Sequence, residues 1–340
     1  MKAIILTPRD RAMFHLGQTG LDDTSEILHS DTLFSALANV YAMAFGGADT
    51  FIAHLAEGRL RFSSGFHAIR HDAGTLFFLP KPPIRFSGTQ RGKKEKSIRY
   101  LSHGVWNCLC SRFDPDNCSA SIDLLAFPSI GGTFAFLEEE LPGIASHGRP
   151  RPLWGVIDLP KVKVHTLDKD DRLHLETVVQ FSARNMGEQS IQGCYHFLVD
   201  HTLDEHQWNE FLAAVRIMAD EGIGGQRSSG CGQFESVSVA DVNLSLTTDA
   251  SHFLGLSLVA PEGNDEFHNG LAYYDTMIRG GGTLGRAGNA TRHRRQIRLV
   301  REGALLKSAI NGRLVDVSPG LDGSVLRNGL NFSIPIKAEQ

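Results

Sequence analysis

The sequence lacks any apolar run long enough to span a bilayer, and 41% of its 340 residues are hydrophobic. Residues 1–8 are few and end in proline, which is not the pattern of a secretory signal peptide. A charged fraction of 21% is typical of a globular chain, and the length suits one large or two ordinary domains. We therefore expect a cytoplasmic protein without a membrane partner.

Cysteine is scarce, and its five copies are an odd number without the spacing of a disulfide framework. This usage indicates reduced thiols. Cys108, Cys110 and Cys118 lie near His103, but their spacing matches none of the common structural zinc sites. We predict no metal and no cofactor, and we interpret these cysteines as buried thiols.

No lysine occurs in the glycine-rich stretch at residues 222–232, which holds five glycines. A P-loop needs Gly-Lys-Ser/Thr between a strand and a helix. Here the loop instead follows a predicted helix, with a capping box from Thr202 to Glu205, and precedes a strand at 234–239. Nucleotide hydrolysis is therefore not expected.

The same loop has the composition of an anion site. Glycine permits positive φ, and successive free N–H groups in such a loop form a concavity that accepts an anion. Arg227, Ser228 and Ser229 add a guanidinium and two hydroxyls. We predict that the loop binds a phosphate or a phosphodiester backbone; the alternative is a surface loop without a ligand.

Positive charge is concentrated in two segments of a chain whose net charge is −4. Residues 81–99 contain seven basic residues and one acid, and residues 279–301 contain seven arginines and no acid. The remainder is acidic, so the two segments have the charge distribution of a polyanion site. From charge alone, a solvated loop at 85–99 is as good an interpretation as an RNA-binding one.

The apolar pattern predicts strands and helices in the order of a split βαβ arrangement. A helix with Ser30 or Asp31 as its N-cap follows a first strand, and 60–63 and 75–79 are interpreted as a hairpin. Residues 111–160 are interpreted as an irregular insertion. A second unit, mostly β, begins near His252.

Four motifs in this order are similar to those of one family. They are His-Ser-Asp-Thr-Leu-Phe-Ser-Ala-Leu at 29–37, Pro-Lys-Pro at 80–82 with the basic stretch 93–100, the glycine-rich loop 222–234, and Arg-Gly-Gly at 279–281 with residues 328–336. The chain resembles the RAMP superfamily of CRISPR proteins, and within it the subunit-four family of the type III-A (Csm) interference complex.

The resemblance implies an α+β fold of two ferredoxin-like (RRM-like) domains, at 1–245 with an insertion at about 80–170 and at 246–340. It also implies a subunit without catalytic activity that binds the 5′ repeat-derived handle of the CRISPR RNA (crRNA). Its partners would be the large polymerase-like subunit, the backbone RAMP subunit, and target RNA near the first base pairs.

Residues are assigned to RNA contact by their positions in these motifs, with Arg184, Arg279 and Arg286 as further contacts. The full set is His29, Ser30, Asp31, Lys93, Lys94, Lys96, Arg99, Arg184, Gly224, Gly225, Arg227, Ser228, Ser229, Gly230, Gly232, Arg279 and Arg286.

The alternative function is a metal-independent endoribonuclease that cuts CRISPR repeats. His29 would then act as general acid or base on the 2′-hydroxyl, and Arg227 would stabilise the phosphorane charge. No second acid or base is evident in the sequence, so we rank this function below RNA binding. A metabolic enzyme that binds a sugar phosphate would lack any Rossmann or P-loop context.

Overall fold

The structure is a computed structural model, and it describes residues 1–17, 23–87, 92–142, 152–163, 172–186, 189–244, 250–282, 293–320 and 324–336. These residues form a mixed α+β fold with several sheets and few helices. The α-helices are α1 (Ser30–Ala44), α2 (Asp49–Ala56), α3 (Lys93–Ser97), α4 (His103–Cys110), α5 (Glu205–Glu221) and α6 (Gly263–Gly270). None of these described helices is long and apolar enough to cross a membrane.

The strands are mostly short, and β15 is the longest. In chain order they are β1 (Lys2–Pro8), β2 (Met13–Phe14), β3 (Leu60–Phe62), β4 (Phe66–His71), β5 (Gly74–Pro80), β6 (Arg85–Phe86), β7 (Tyr100–Ser102), β8 (Phe113–Asp114), β9 (Ser119–Ala120), β10 (Ser129–Ile130), β11 (Phe134–Ala135), β12 (Trp154–Lys163), β13 (Arg172–Phe181), β14 (Ala183–Met186), β15 (Gln189–His201), β16 (Phe234–Asp241), β17 (His252–Gly255), β18 (Leu271–Tyr273), β19 (Thr276–Arg279), β20 (Ile297–Val300), β21 (Leu305–Leu306), β22 (Gly312–Asp316), β23 (Leu326–Leu330) and β24 (Ser333–Ile336).

The main sheet has the order β10-β11-β7-β5-β4-β15-β1-β16, with β3 and β14 also paired to β15. Within it, β4, β15, β1 and β16 lie side by side, and all three pairings are antiparallel. Helix α1 lies in the chain between β1 and β4, and α5 lies between β15 and β16. The central four strands and two helices therefore follow the order strand, helix, strand, strand, helix, strand.

The hairpin prediction was wrong in its pairing. Residues 75–79 lie in β5, whose hairpin partner is β4, with Ala68 opposite Phe77. Strand β3, at 60–62, instead pairs with the end of β15. The sequence prediction did not include a strand at Phe66–Ile69, which is buried on both faces and therefore shows no alternation between apolar and exposed polar residues.

The helix starts also differ from the prediction. Asp204, not Thr202, is the N-cap of α5: its carboxylate accepts a hydrogen bond from the Gln207 N–H at 2.8 Å, and the Gln207 side chain accepts from the Asp204 N–H at 3.3 Å. Asp caps a helix as well as Thr does, so two adjacent capping boxes competed in the sequence. The predicted end at Gly222 is confirmed, with φ +87°.

The insertion is more regular than expected. Strands β12 and β13 form a ten-residue antiparallel hairpin that β2 extends into a three-stranded sheet. Its surface carries exposed Val156, Val162 and Leu175. Strand β12 was not predicted, because it begins within residues 111–160, whose Pro and Gly content indicates irregular structure.

One hydrophobic core joins the two ends of the chain. It includes Ile4 and Phe34 from the N-terminal part and Leu254, Leu305 and Ile334 from the C-terminal part. Helix α1 contacts both α5 and β23. The first helix motif is consequently held between the main sheet unit and the C-terminal unit.

Candidate nucleic-acid interface

The glycine-rich loop uses its glycines for left-handed backbone. Gly222, Gly224, Gly230 and Gly232 have φ of +87°, +91°, +83° and +89°, and Gln226 adopts the same region with φ +56°. A non-glycine residue is uncommon there. The loop therefore reverses direction repeatedly within a short stretch and places residues 227–230 at its exposed tip.

The loop is fixed against strand β2. The Gly225 N–H donates to the His15 carbonyl at 2.8 Å, and the Gly232 N–H donates to the Met13 carbonyl at 2.8 Å. A Cβ at Gly224 would lie 2.4 Å from the His15 carbonyl oxygen. At Gly224, glycine is required for this close backbone approach as well as for its positive φ.

Most backbone N–H groups of the loop already donate hydrogen bonds within the protein, so fewer of them are free to bind an anion than the sequence predicted. The amides of Ile223, Gly225, Ser229, Gly230, Cys231 and Gly232 all donate to carbonyl groups of the protein. Within this fully described loop, the N–H groups of Gly224, Gln226, Arg227 and Ser228 have no such bond. Three of these free donors are consecutive, at 226–228, and the fourth lies two residues before them.

A cleft of about 220 Å³ opens beside this patch. Arg227 and Gly224 line one side, the end of α5 lines another, and Thr32, Ser35 and Asn39 of α1 face them. Arg227, Ser228 and Ser229 are exposed, and no ion pair engages the Arg227 guanidinium within the described residues. This cleft, called the loop cleft below, combines a free guanidinium, hydroxyls and free amides, which are donors suited to phosphate oxygens.

His29 is buried and fully engaged. Its Nδ1 lies 2.8 Å from Oε1 of Glu302, its Nε2 lies 3.1 Å from the Ser25 hydroxyl, and its side chain is 3% exposed. Burial raises the pKa of Glu302, but the charge and hydrogen bond of His29 and the Ser64 hydroxyl outweigh burial and lower it. A general acid or base must reach the proton that it transfers. His29 has no free ring nitrogen for that task, so its proposed role in a nuclease loses its support.

Asp31 and Arg279 form an internal ion pair rather than a surface site. Arg279 donates to both Asp31 oxygens at 2.8 and 2.7 Å, and Arg327 donates to the same carboxylate. Burial raises the pKa of Asp31, but the charge and hydrogen bonds of Arg279 and the charge of Arg327 lower it to about 2. Asp31 is 2% exposed and Arg279 4%, so this geometry does not support their predicted direct contact with RNA.

Ser30 has a similar structural role. Its N–H donates to the Ser64 hydroxyl at 2.8 Å, and its own hydroxyl accepts a hydrogen bond from the Leu258 N–H at 3.0 Å. Ser30 and Asp31 lie in the first turn of α1, whose N-cap is His29, so neither is the cap that the sequence suggested. The first motif thus joins α1 to the C-terminal unit.

The basic stretch is separate from the glycine-rich loop. Lys93, Lys94 and Lys96 are exposed on the short helix α3, which buries no residue. Arg99 pairs with Glu26 at 2.7 Å and lines another cleft together with Lys96. Neither residue lines the loop cleft.

Of the remaining predicted contacts, Arg184 and Arg286, the structure describes only the first. Arg184 is exposed on β14, and Arg286 lies outside the described residues.

Sequence reasoning missed the partners of the first motif. Glu302 and Arg327 lie 273 and 296 residues from the side chains that they contact. The arginine-rich stretch 279–301 was noticed for its charge, but no local pattern shows that Arg279 faces inward. The only signal was the co-occurrence of an acidic residue in the first motif with arginines near the C-terminus.

Comparison with known proteins gives consistent matches. The family model for the CRISPR Csm4 C-terminal domain matches residues 248–336. The CRISPR system Cms protein Csm4 of Methanocaldococcus jannaschii is 26% identical over 350 aligned residues, covering 95% of this chain and 90% of that protein.

Two solved structures show the same fold. The crystal structure of the Csm3-Csm4 subcomplex in the type III-A CRISPR-Cas interference complex matches with a TM-score of 0.65 at 19% identity, covering 98% of this chain and 99% of that chain. A Csm1-Csm4 cassette in complex with cA4 matches with a TM-score of 0.56 at 14% identity, covering 100% and 98%.

The C-terminal part of the chain matches a family model of CRISPR proteins, which is the class that the motifs resemble. Along nearly its whole length, the chain is similar in sequence and in fold to Csm4.

Proposed function

We propose that this chain is a crRNA-binding subunit of a type III-A CRISPR interference complex and that it holds the 5′ repeat-derived handle. The loop cleft carries the proposal: an exposed Arg227 lies opposite polar side chains of α1, and two exposed serines follow Arg227 at the tip of the loop. These are donors for phosphate oxygens, and phosphate contacts fix the position of a nucleic-acid strand. The glycines fix the backbone of the loop, and the Gly224 N–H is itself one of the free donors.

The architecture that accompanies this function is two ferredoxin-like domains, at 1–245 and 246–340. For the first domain, the neighbour order β16-β1-β15-β4 with α1 and α5 in the connections supports the assignment. For the second, the four-stranded sheet β18-β21-β17-β24 with α6 supports a reduced version. The shared core makes the two domains one folding unit.

The partners that we propose are a backbone RAMP subunit and a large polymerase-like subunit. The similar structures are described as a Csm3-Csm4 subcomplex and a Csm1-Csm4 cassette, which supports a bridging position. The exposed lysines of α3 would follow the guide near its first base pairs with target RNA. No catalytic step is assigned to this chain.

The test is a binding measurement on Arg227. We expect Arg227→Ala in the full chain to weaken binding of a single-stranded RNA carrying the handle by about 1–3 kcal/mol, the value of a charge-assisted hydrogen bond. Fluorescence anisotropy at fixed salt measures the change. Arg227→Lys should restore part of the affinity, because it keeps the charge and loses the bidentate fork.

The matched control is Arg216→Ala, which removes an exposed arginine from α5 without altering the loop cleft. It should leave affinity nearly unchanged. Equal losses in the two variants would mean that only bulk charge matters. An unchanged affinity in Arg227→Ala would remove the loop cleft from the RNA-binding surface.

A further inference from the structure

A second cleft, of about 460 Å³, lies between the basic stretch and the C-terminal unit. Lys81, Lys96 and Arg99 line one side, and Tyr273, Tyr274 and Arg301 line the other, so it is called the tyrosine cleft below. Its volume falls in the range of about 300–1,000 Å³ that small-ligand sites occupy. None of the motifs that identified the family includes the two tyrosines.

Both walls of the tyrosine cleft are fixed by backbone hydrogen bonds. On one side the Lys81 N–H donates to the Arg99 carbonyl at 2.8 Å. On the other, the Arg301 N–H donates to the Asp275 carbonyl at 2.9 Å, which ties the two tyrosines to the turn after β20. The cleft is therefore part of the folded framework rather than a gap between loose loops.

The floor between the walls is apolar. Ile27, Phe66, Ile98 and Ala304 line it and are buried. A planar, partly apolar group is the kind of ligand that such a floor accommodates.

Positive charge exceeds negative charge in the tyrosine cleft. Its lining has four basic side chains and two acidic ones, Asp275 and Glu302. The Glu302 carboxylate is already held by His29 at 2.8 Å and by the Ser64 hydroxyl at 2.5 Å. Among the described residues, the side chains of Lys96 and Arg301 have no hydrogen bond and no ion pair. The cleft thus offers two unengaged cations to an anion in an otherwise acidic chain.

The tyrosines stand beside these cations. Tyr273 is 52% exposed and Tyr274 is 39% exposed, which is high for adjacent aromatic residues. Tyr274 packs edge-on against Phe267 at 5.7 Å between ring centroids, so its ring has a fixed support. Exposed aromatic rings next to Arg and Lys are the combination with which proteins stack a nucleobase and hold its phosphate.

We infer that the tyrosine cleft binds one nucleotide, with its base against Tyr273 or Tyr274 and its phosphate near Arg301 and Lys96. The inference rests on the proposed RNA-binding function where the nucleotide belongs to an RNA strand. The same chemistry fits a free mononucleotide. A protein surface is the competing occupant, because Tyr and Arg are also enriched in protein interfaces. Cations on both walls of a cleft with an apolar floor favour the nucleotide.

The experiment compares variants of the full chain in two titrations, one with a labelled single-stranded RNA and one with labelled adenosine monophosphate. Tyr273→Ala is the first variant, because no aromatic ring among the described residues packs on Tyr273. Tyr273→Ala/Tyr274→Ala follows. We expect the double variant to weaken binding about 5-fold to 100-fold, as loss of base stacking does. Tyr273→Phe/Tyr274→Phe, the matched control, keeps the rings and should bind within about twofold.

RNA containing 4-thiouridine supplies an independent readout. After irradiation, mass spectrometry should place the cross-link on the peptide with Tyr273 and Tyr274, and unlabelled mononucleotide should reduce it if the cleft is shared. Weaker RNA binding assigns the site to a strand, and weaker mononucleotide binding alone assigns it to a free nucleotide. Unchanged binding in both titrations, or loss of a protein partner with nucleotide binding intact, overturns the inference.

The outcome is separable from that of the proposed function. If Arg227→Ala weakens RNA binding and the tyrosine variants do not, the loop cleft stands and the tyrosine cleft is excluded. If the tyrosine variants weaken RNA binding and Arg227→Ala does not, the tyrosine cleft stands and the loop cleft is excluded. Arg301→Ala completes the set: the nucleotide model requires it to weaken binding and to reduce the dependence of affinity on salt.

Discussion

The carboxylate of Asp31 accepts hydrogen bonds from two arginines that lie 248 and 296 residues away in the chain. A buried carboxylate is tolerated only when such partners compensate its desolvation. Here the compensation comes from the far end of the chain, since Arg279 ends β19 and Arg327 lies in β23. At the scale of single residues, the first motif is therefore a link between the two units.

Replacing Asp31 tests this structural role. Asp31→Asn should reduce the free energy of unfolding by about 3–5 kcal/mol, because it leaves two buried guanidinium groups without their countercharge. Urea denaturation followed by circular dichroism measures the loss. Asp200→Asn, at an exposed position on β15, is the matched control and should change stability by less than about 0.5 kcal/mol. If Asp31→Asn were as stable as that control, the ion pairs of Asp31 with Arg279 and Arg327 would contribute little to the free energy of unfolding.

Residue-level prediction from the sequence succeeded where the requirement is local. The glycines of the loop were predictable, because positive φ and close approach to β2 are demands that glycine meets. The burial of His29 and Arg279 was not predictable, because it depends on Glu302 and Asp31, which lie far away in sequence. By residue type alone, His29 and Arg279 fit an RNA site and an internal ion pair equally well.

At the scale of elements, α3 is the part most free to contact a ligand. It spans Lys93–Ser97, presents three exposed lysines and buries none of its residues. A five-residue helix with no buried face gains little from packing. Its lysines are therefore available for function without a role in the core.

Charge reversal of this helix gives a prediction about RNA. Lys93→Glu/Lys94→Glu/Lys96→Glu should weaken RNA binding and flatten the dependence of log affinity on log salt, because fewer phosphate counterions are released. The triple Gln variant removes the charge without reversing it and should give an intermediate affinity. The thermal unfolding midpoint should stay the same in both, since the helix buries nothing. A salt slope equal to that of the unaltered chain would show that α3 does not touch RNA.

Elements were predicted best where their pattern was strong. Helix α5 and its end at Gly222 followed from apolar periodicity and a terminal glycine, whereas its start was misplaced because Thr202 and Asp204 can each cap. Strand β4 was missed since a strand buried on both faces does not alternate. The hairpin of β12 and β13 was predictable only in part, because residues 173–181 alternate like a strand whereas β12 begins within the predicted irregular insertion.

At the scale of the whole molecule, the core contains buried histidines whose protonated, charged form is disfavoured by desolvation. His67 is 0% exposed and stacks on Trp154 with ring centroids 4.3 Å apart. Burial, with a smaller effect of the Arg99 charge, lowers the pKa of His67 to about 3, and burial lowers that of His103 to about 4. In the unfolded chain both would titrate near 6.5.

These pKa shifts predict a loss of stability in mild acid. As the pH falls below 6.5, the unfolded state takes up protons that the folded state does not bind, so the free energy of unfolding decreases down to about pH 4. The carboxylates of Asp31 and Glu302 act in a lower window: their contribution is present above the ordinary carboxyl pKa and is lost below it. Denaturation curves between pH 7 and pH 4.5 isolate the histidine effect.

His67→Phe keeps an aromatic ring in the core and removes its ability to titrate. Because phenylalanine has a similar shape and no proton to gain, the variant should keep its stability at pH 7 within about 1–2 kcal/mol and lose less of it toward pH 4.5. His206→Gln, at an exposed position on α5, should retain the full pH dependence of the unaltered chain. If His67→Phe were as sensitive to mild acid as His206→Gln, the core histidine would not be responsible for the pH dependence, and His103 would be the next position to replace.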